Sequence, residues 1–372
     1  MKIGCPKEIK PQEFRAGLTP NAAHEAVIHG HEVLIETGAG IGAGFEDDAY
    51  VEAGARIVPD AETVYGEAEM IVKVKEPQPG ERKLLRRGQI LYAYLHLAAD
   101  PELTRELLAT GVTAIAYETV TGRGGGLPLL APMSEVAGRL APQTGSWALQ
   151  KANGGSGVLM GGVPGVRPAN VLVLGGGVVG TAAARVAVGM GASVTVLDLS
   201  VQRLSYLDDI FMGHLITQFS DKATLNDLLP STDMVIGAVL IPGAATPKLL
   251  KREHLSLMRP GSVLVDVAVD QGGCFETSRP TTHQDPIYEV DGIIHYCVGN
   301  MPGAVARTAT IALNNATMPL MLELADKGWK RACAEDEHLL HGLNMHDGKL
   351  TYHAVGEALG IESVEGSSLI AA

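Results

Sequence analysis

The sequence predicts an α/β protein of two doubly wound, parallel-sheet domains, the second inserted into the first. Three observations carry that expectation. At 372 residues the chain exceeds the size at which a single hydrophobic core usually stops growing. Its composition, 46% apolar and 19% charged with 45 Gly and few aromatics, suits a packed α/β protein better than a disordered or all-β one. Short apolar runs alternate with amphipathic stretches along most of the chain, the pattern of repeated strand–helix units.

In the first half the spacing predicts strands at Lys2 to Gly4, Glu32 to Glu36, Ala55 to Val58, Met70 to Val74, Gln89 to Ala93 and Thr113 to Ala116. Helical patterns lie between them, such as Asn21 to Ile28 stopped by Gly30 and Pro101 to Ala109 stopped by Gly111, where glycine supplies the left-handed cap. A Gly-rich passage, Thr121 to Leu130, leads into a long helical pattern from about Ser134 to Ala152, with Ser134 ahead of Glu135 reading as its N-cap. After the glycines of 154–165 a second set of strands follows: Val171 to Leu174, Ser193 to Asp198, Met234 to Ala238, Val263 to Val267 and Ile293 to Cys297. From Pro302 the alternation gives way to helix, Ala304 to Lys327 and then a second one near Lys330 to Leu343. This helical return makes the first domain discontinuous, with residues 1–128 and 307–372 forming one domain and 129–306 the inserted one.

Charge and composition exclude several partners. The net charge is −13 and no run of Lys and Arg forms a stripe to neutralise a phosphate backbone, so nucleic acid is not an expected partner. Cys5, Cys274, Cys297 and Cys333 lack zinc or redox spacing and read as reduced, buried thiols. Met1 is followed by Lys2, Ile3, Gly4, Cys5 and Pro6 rather than by an apolar leader, which predicts a cytoplasmic protein. Asn170 to Leu197 carries only Arg185 as a charge, but its repeated glycines and β-branched start read as a buried strand feeding a helix, not a membrane span.

That segment holds the most specific motif. VLVLGGGVVG, from Val171, runs a strand into GxGxxG and then an Ala-rich helix, with a further strand and the acid Asp198 about 20 residues on. This is the context of a Rossmann dinucleotide site. Gly175 permits the tight turn, Gly177 lets a pyrophosphate approach the backbone, and Gly180 lets helix pack on strand. Asp198 would accept hydrogen bonds from the ribose hydroxyls and oppose a 2′-phosphate, favouring NAD over NADP; Arg203, otherwise a solvated cation at a helix start, softens that preference.

Ligands of open parallel sheets bind outside the carboxyl ends of the strands. Arg15 follows the first strand, Lys75 and His96 follow the strands beginning at Met70 and Ile90, and Asp270 follows the strand beginning at Val263. Each alone reads as an ordinary solvated or core residue. Together around one cleft they supply two cations, an acid/base and a carboxylate, the set that oxidation of an amino acid needs.

These residues lie in stretches by which the chain resembles the bacterial alanine dehydrogenases and, more distantly, the NAD-binding part of nicotinamide nucleotide transhydrogenase: GCPKEIK from Gly4, VKEPQP from Val74, YLHLA from Tyr94, LPLLAPMSEVAGR from Leu127, the glycine motif, DVAVDQGGCFETSRPTTH from Asp266 and HYCVGNMPGAVARTAT from His295. The resemblance implies that Arg15 and Lys75 hold a substrate carboxylate and that His96 and Asp270 form the acid/base pair acting on L-alanine, pyruvate and ammonia. It implies NAD contacts at Ser134, Val178, Asp198, Arg203, Ser220, Val239, Leu240, Val298, Asn300 and Met301, and a homohexamer without a membrane partner.

The chain departs from the family at Ala306 and Ala309, where relatives often carry Pro and Ser, and at Phe14, where a polar residue is more usual. Some relatives pair Glu323 with a His four residues later as metal ligands; Lys327 stands there in this chain, so a helical ion pair and no metal is expected. His338, His341, His346 and His353 read as a solvated helical face. Two alternatives stay open: a transhydrogenase-like subunit that binds NAD but holds no amino acid, and a nucleotide-sensing protein that keeps the fold without the chemistry.

Overall fold

Lys2–Cys5 (β1) lies at the centre of the first sheet, flanked on one side by Glu32–Glu36 (β2) and Arg56–Val58 (β3) and on the other by Met70–Val72 (β4), Ile90–Ala93 (β5) and Thr113–Ala116 (β6). All of these pairs are parallel. β4, β5 and β6 are buried throughout, as parallel strands covered on both faces must be, which is why they read as unbroken apolar runs. The computed structural model describes residues 1–239 and 246–371 of the chain. It divides them into one unit of Met1–Met133 with Val305–Ala372 and another of Ser134–Ala304.

The second unit holds Asn170–Leu174 (β7), Ser193–Asp198 (β8), Ile216–Phe219 (β9), Met234–Gly237 (β10), Val263–Asp266 (β11), Ile287–Val290 (β12) and Ile293–Tyr296 (β13). Their order is β12-β13-β11-β10-β7-β8-β9, parallel apart from β12, which runs antiparallel to β13. In each sheet the winding reverses beside the first strand, at β1/β4 and at β7/β10, and such a reversal opens a crevice at the strands' carboxyl ends. Val171, Val173, Val194, Val196, Ile236 and Val265 form the centre of one face's core.

Leu343–His346 (β14) and Lys349–Leu350 (β15) return to the first sheet, β14 pairing antiparallel with β6. The expectation of helix alone after Pro302 is therefore corrected. Trp329–Glu335 and Glu337–Leu340 are separate helices, broken at Asp336, whose carboxylate caps the second through the N–H groups of His338 and Leu339. The chain then turns into strand rather than continuing as helix to Leu343.

The return helix Ala306–Lys327 keeps the loop after β1 in place: Thr310 Oγ1 accepts the N–H of Ala16 at 3.2 Å and Asn314 Oδ1 that of Thr19 at 2.8 Å. The N-cap assigned to Ser134 is also corrected. The helix runs Ala131–Ala148, with Pro132 at a position that lacks an intrahelical partner anyway, so Ser134 sits inside the first turn. All four cysteines are free and buried, and no helix among the described residues is long and apolar enough to cross a membrane.

Candidate functional site

In the first unit the three candidates follow neighbouring strands, β1, β4 and β5. Arg15, in the loop after β1, is buried and clasped in a two-pronged pair by Glu13, with Nε–Oε1 at 2.7 Å and Nη2–Oε2 at 2.5 Å. Glu13 Oε1 also accepts the N–H of Arg15, and Arg15 Nη1 lies 3.0 Å from Met133 Sδ. Burial pushes Glu13 up, but hydrogen bonds and charge from Arg15 outweigh it and hold its carboxyl at about 2. The guanidinium is thus held in one orientation by Glu13. Phe14, beside it, stands exposed.

Lys75 lies three residues past the end of β4, on a segment pinned from beneath. Glu8 Oε1 accepts the N–H of Val74 at 2.7 Å and of Lys75 at 3.3 Å. Glu8 Oε2 and Glu81 Oε1 meet the fully buried Lys73 ammonium at 3.2 and 2.7 Å, and Tyr65 donates to Glu81. Both lysines lie past the end of β4, where strand alternation no longer sets their direction: Lys73 is fully buried against the two carboxylates and Lys75 is half-buried. Burial, with the charges of Arg15 and Lys10, pulls Lys75 below the ordinary lysine value.

His96, past β5, is exposed and takes a left-handed backbone with φ 50 and ψ 41. Its ring lies parallel to that of Tyr94, centroids 5.9 Å apart and planes 6° apart.

In the second unit the glycine loop leaves β7. Gly175 has φ +97, and a Cβ there would stand 2.8 Å from Val239 Cγ2; a Cβ on Gly180 would stand 1.8 Å from the carbonyl oxygen of Gly175. At Gly177, the N-cap of helix Val178–Gly189, a Cβ would meet nothing within 4 Å. The open space thus lies before a helix N-terminus, where backbone N–H groups and the dipole favour a phosphate, and this fits the dinucleotide that the motif implies.

Asp198, at the end of β8, accepts the N–H of Gly176 at 2.7 Å and of Ser200 at 2.8 Å, and its carbonyl takes Ser220 N–H at 3.0 Å. Arg203 is not the solvated cation considered from sequence. It donates to the carbonyl of Gly176 and to Thr181 Oγ1, and its guanidinium lies over the Tyr206 ring, so it braces the loop. Val178 is exposed, Ser134 half-buried, and Val298 and Met301 buried. Leu240 lies outside the described residues.

Asp270 stands exposed on the single turn Val269–Gln271 after β11. Its Oδ2 accepts the N–H of Asn300 at 3.0 Å, and a Cβ on Gly299 would press against Oδ1 at 2.7 Å. The turn is fixed by a residue that sequence reading passed over, Asp266. This buried carboxylate accepts N–H groups from Ala268, Cys274 and Phe275 and the hydroxyl of Ser278.

The four C-terminal histidines are not a solvated helical face. Nδ1 of His338 and of His341 each lies 2.8 Å from Thr121 Oγ1, His346 is on β14 against Thr113 Oγ1 and Trp329, and His353 meets Ser363 and Glu365. Glu323 and Lys327 form the expected ion pair, which Glu335 joins at 2.9 Å. Ala306 and Ala309 are both buried in the return helix.

Comparison with known proteins gives concordant matches. Residues 4–137 match the family model described as Alanine dehydrogenase/PNT, N-terminal domain, and residues 141–353 match Alanine dehydrogenase/PNT, C-terminal domain. The chain is 60% identical to the alanine dehydrogenase of Halomonas elongata, with all of both chains covered, and 53% identical to that of Bacillus subtilis, with 98% of this chain and 96% of the relative covered. A solved L-alanine dehydrogenase superposes with TM-score 0.94 at 52% identity, covering 97% of this chain and 99% of that one. A transhydrogenase from Sinorhizobium meliloti, 24% identical over 95% of this chain and all of that one with TM-score 0.81, shares the fold. By both domain models and by full-length identity, the chain belongs to the alanine dehydrogenase/PNT family.

Proposed function

We propose that the protein is an NAD-dependent L-alanine dehydrogenase, catalysing oxidative deamination of L-alanine to pyruvate and ammonia and the reverse reductive amination. The observation that carries this reading is the placement of Arg15, Lys75 and His96 after three adjacent strands of one sheet, Arg15 held in one orientation by Glu13. A subunit that only relays hydride between nucleotides has no carboxylate to hold, so two cations beside an imidazole favour the dehydrogenase over that alternative. Relatives named alanine dehydrogenase match along the whole chain, which supports the same choice.

In this reading residues 1–128 and 307–372 bind substrate and residues 129–306 bind NAD. Gly175, Gly177, Val178 and Gly180 cradle the pyrophosphate, Asp198 takes the ribose hydroxyls, and Ser134, Arg203, Ser220, Val239, Leu240, Val298, Asn300 and Met301 complete the site. Bound NAD supplies the hydride acceptor.

Arg15 and Lys75 fix the alanine carboxylate by charge-assisted hydrogen bonds, which orients the Cα–H bond. Oxidation leaves an iminium on the substrate. Asp270 orients or deprotonates the water that adds to its carbon, and His96 exchanges a proton with the oxygen of the resulting carbinolamine as ammonia departs. The same proton moves run backwards for amination. We extend the reading to a homohexamer in the cytoplasm, on the family likeness; a mass in light scattering other than six chains would refute that assembly.

The test is to mix the protein with NAD and a panel of L-amino acids and follow NADH. L-alanine is expected to give the highest turnover, NADP to serve poorly because of Asp198, and His96→Ala to lose about 10²-fold or more in turnover. NAD binding without substrate-dependent reduction would instead support a nucleotide-sensing role.

A further inference from the structure

We propose that Glu118 is the positioning residue of His96, fixing the main chain and thereby the ring in the direction that proton exchange requires; this rests on the role given to His96 above. A non-glycine residue in the left-handed region is disfavoured by roughly 1–2 kcal/mol and persists only where its surroundings over-determine it. Glu118 provides that constraint. Its Oε1 accepts the N–H of His96 at 2.6 Å and of Leu95 at 3.1 Å, while Oε2 lies 3.3 Å from the same Leu95 nitrogen. Two successive N–H groups thus converge on one carboxylate, which fixes the peptide that leads into the left-handed turn at His96.

The arrangement follows from strand register. β5 and β6 are parallel and Ala93 pairs with Ala116, so His96 and Glu118 emerge side by side from neighbouring strand ends. The Glu118 side chain is 17% exposed, which shields its charge-assisted bonds from water. The ring itself is not directly bonded: Nδ1 lies 3.9 Å from Glu118 Oε1, beyond hydrogen-bond reach. Its plane is set by the parallel Tyr94 ring, whose hydroxyl is tied to the carbonyl of Leu129 at 2.5 Å. Glu118 therefore places the imidazole through the backbone, and Tyr94 orients it. Arg15 and Lys75 are held by other acids, Glu13 and Glu8, so loss of Glu118 disturbs proton exchange and spares carboxylate binding.

The experiment is a double-mutant cycle in the full chain: Glu118→Ala, Glu118→Gln, His96→Ala and the two combinations, with kcat and KM for pyruvate and the melting temperature of each. Glu118→Ala is expected to lower kcat by about 10²-fold, the consequence of a displacement near 1 Å, with KM for pyruvate changed less than about twofold. Glu118→Gln, which keeps one acceptor oxygen, falls between Ala and the wild type. In the His96→Ala background Glu118→Ala should change residual kcat by less than about twofold, because the group it acts through is gone. A loss there as large as in the wild type, or wild-type kcat in Glu118→Ala, overturns the proposal while leaving the role of His96 intact. Wild-type kcat in His96→Ala overturns that role and the proposal with it. Should Glu118→Ala fail to fold, Glu118→Gln carries the same cycle.

Discussion

In the proposed carboxylate clamp, Lys75 is the member that titrates. Burial comes first among the effects on it, the charges of Arg15 and Lys10 add to it, and together they lower its proton affinity despite Glu13 and Glu76. Arg15 moves the other way. Burial disfavours its charge, but the hydrogen bond and charge of Glu13 prevail and raise it above its ordinary value. As pH rises, then, Lys75 loses its proton while Arg15 stays charged. The dissociation constant of pyruvate, measured by calorimetry with NAD present, is expected to weaken by about 10-fold or more, the loss of one charge-assisted hydrogen bond. The rise should begin below the ordinary lysine value of about 10.4. Lys75→Arg, which cannot titrate in this range, should bind with no such rise. Affinity in the wild type that stays flat past that value would refute the assignment of Lys75 to the clamp.

The buried trio below Lys75 acts on the element that carries it. Lys73, Glu8 and Glu81 are each nearly inaccessible, and attraction from the two carboxylates outweighs burial to keep Lys73 strongly protonated. Lys73→Met removes the shared cation and leaves two buried carboxylates uncompensated, which should destabilise the protein by about 3–5 kcal/mol in urea unfolding. A loss below about 1 kcal/mol would place this trio among ordinary surface pairs. Nothing in the local sequence marks Lys73 as the fully buried lysine and Lys75 as the half-buried one, because only tertiary structure brings Glu8 and Glu81 onto Lys73. Glu13, Glu118 and Asp266 escape sequence reading for the same reason: each is an ordinary acid until tertiary structure brings a backbone or guanidinium to it. The strand-end positions of Arg15, Lys75, His96 and Asp270 are legible, since β1, β4, β5 and β11 are short, apolar and buried. β9 is not, being mostly exposed and so lacking an apolar run. β12, β14 and β15 are also short, yet both of their hairpins turn on Asp-Gly, at Asp291-Gly292 and Asp347-Gly348, with all four residues at positive φ. That dipeptide is the strongest short-range hairpin signal, and it was available in the sequence.

Chain order also separates the two units in the way they are built. The sheet of the second unit is made from one continuous stretch, Ser134–Ala304, whereas the first is closed only when β14 pairs with β6, Ile115 opposite Leu343. Contacts so distant in sequence must overcome more loop-closure entropy and form slowly. The two tryptophans divide between these histories. Trp147 lies in helix Ala131–Ala148 within the second unit, and Trp329 packs at 4.3 Å on His346 of β14 in the first. Trp329→Phe and Trp147→Phe thus leave single reporters of each unit. On dilution from denaturant, the Trp147 signal is expected to recover ahead of the Trp329 signal, which must wait for the return segment to reach β6. NAD added to the refolding mixture should stabilise the unit that binds it by about 2.7 kcal/mol at a hundredfold excess over its dissociation constant and sharpen the lead of Trp147. Recovery of both signals in one shared phase, with and without NAD, would mean that the units fold as a single cooperative body and that the discontinuous sheet sets no separate step.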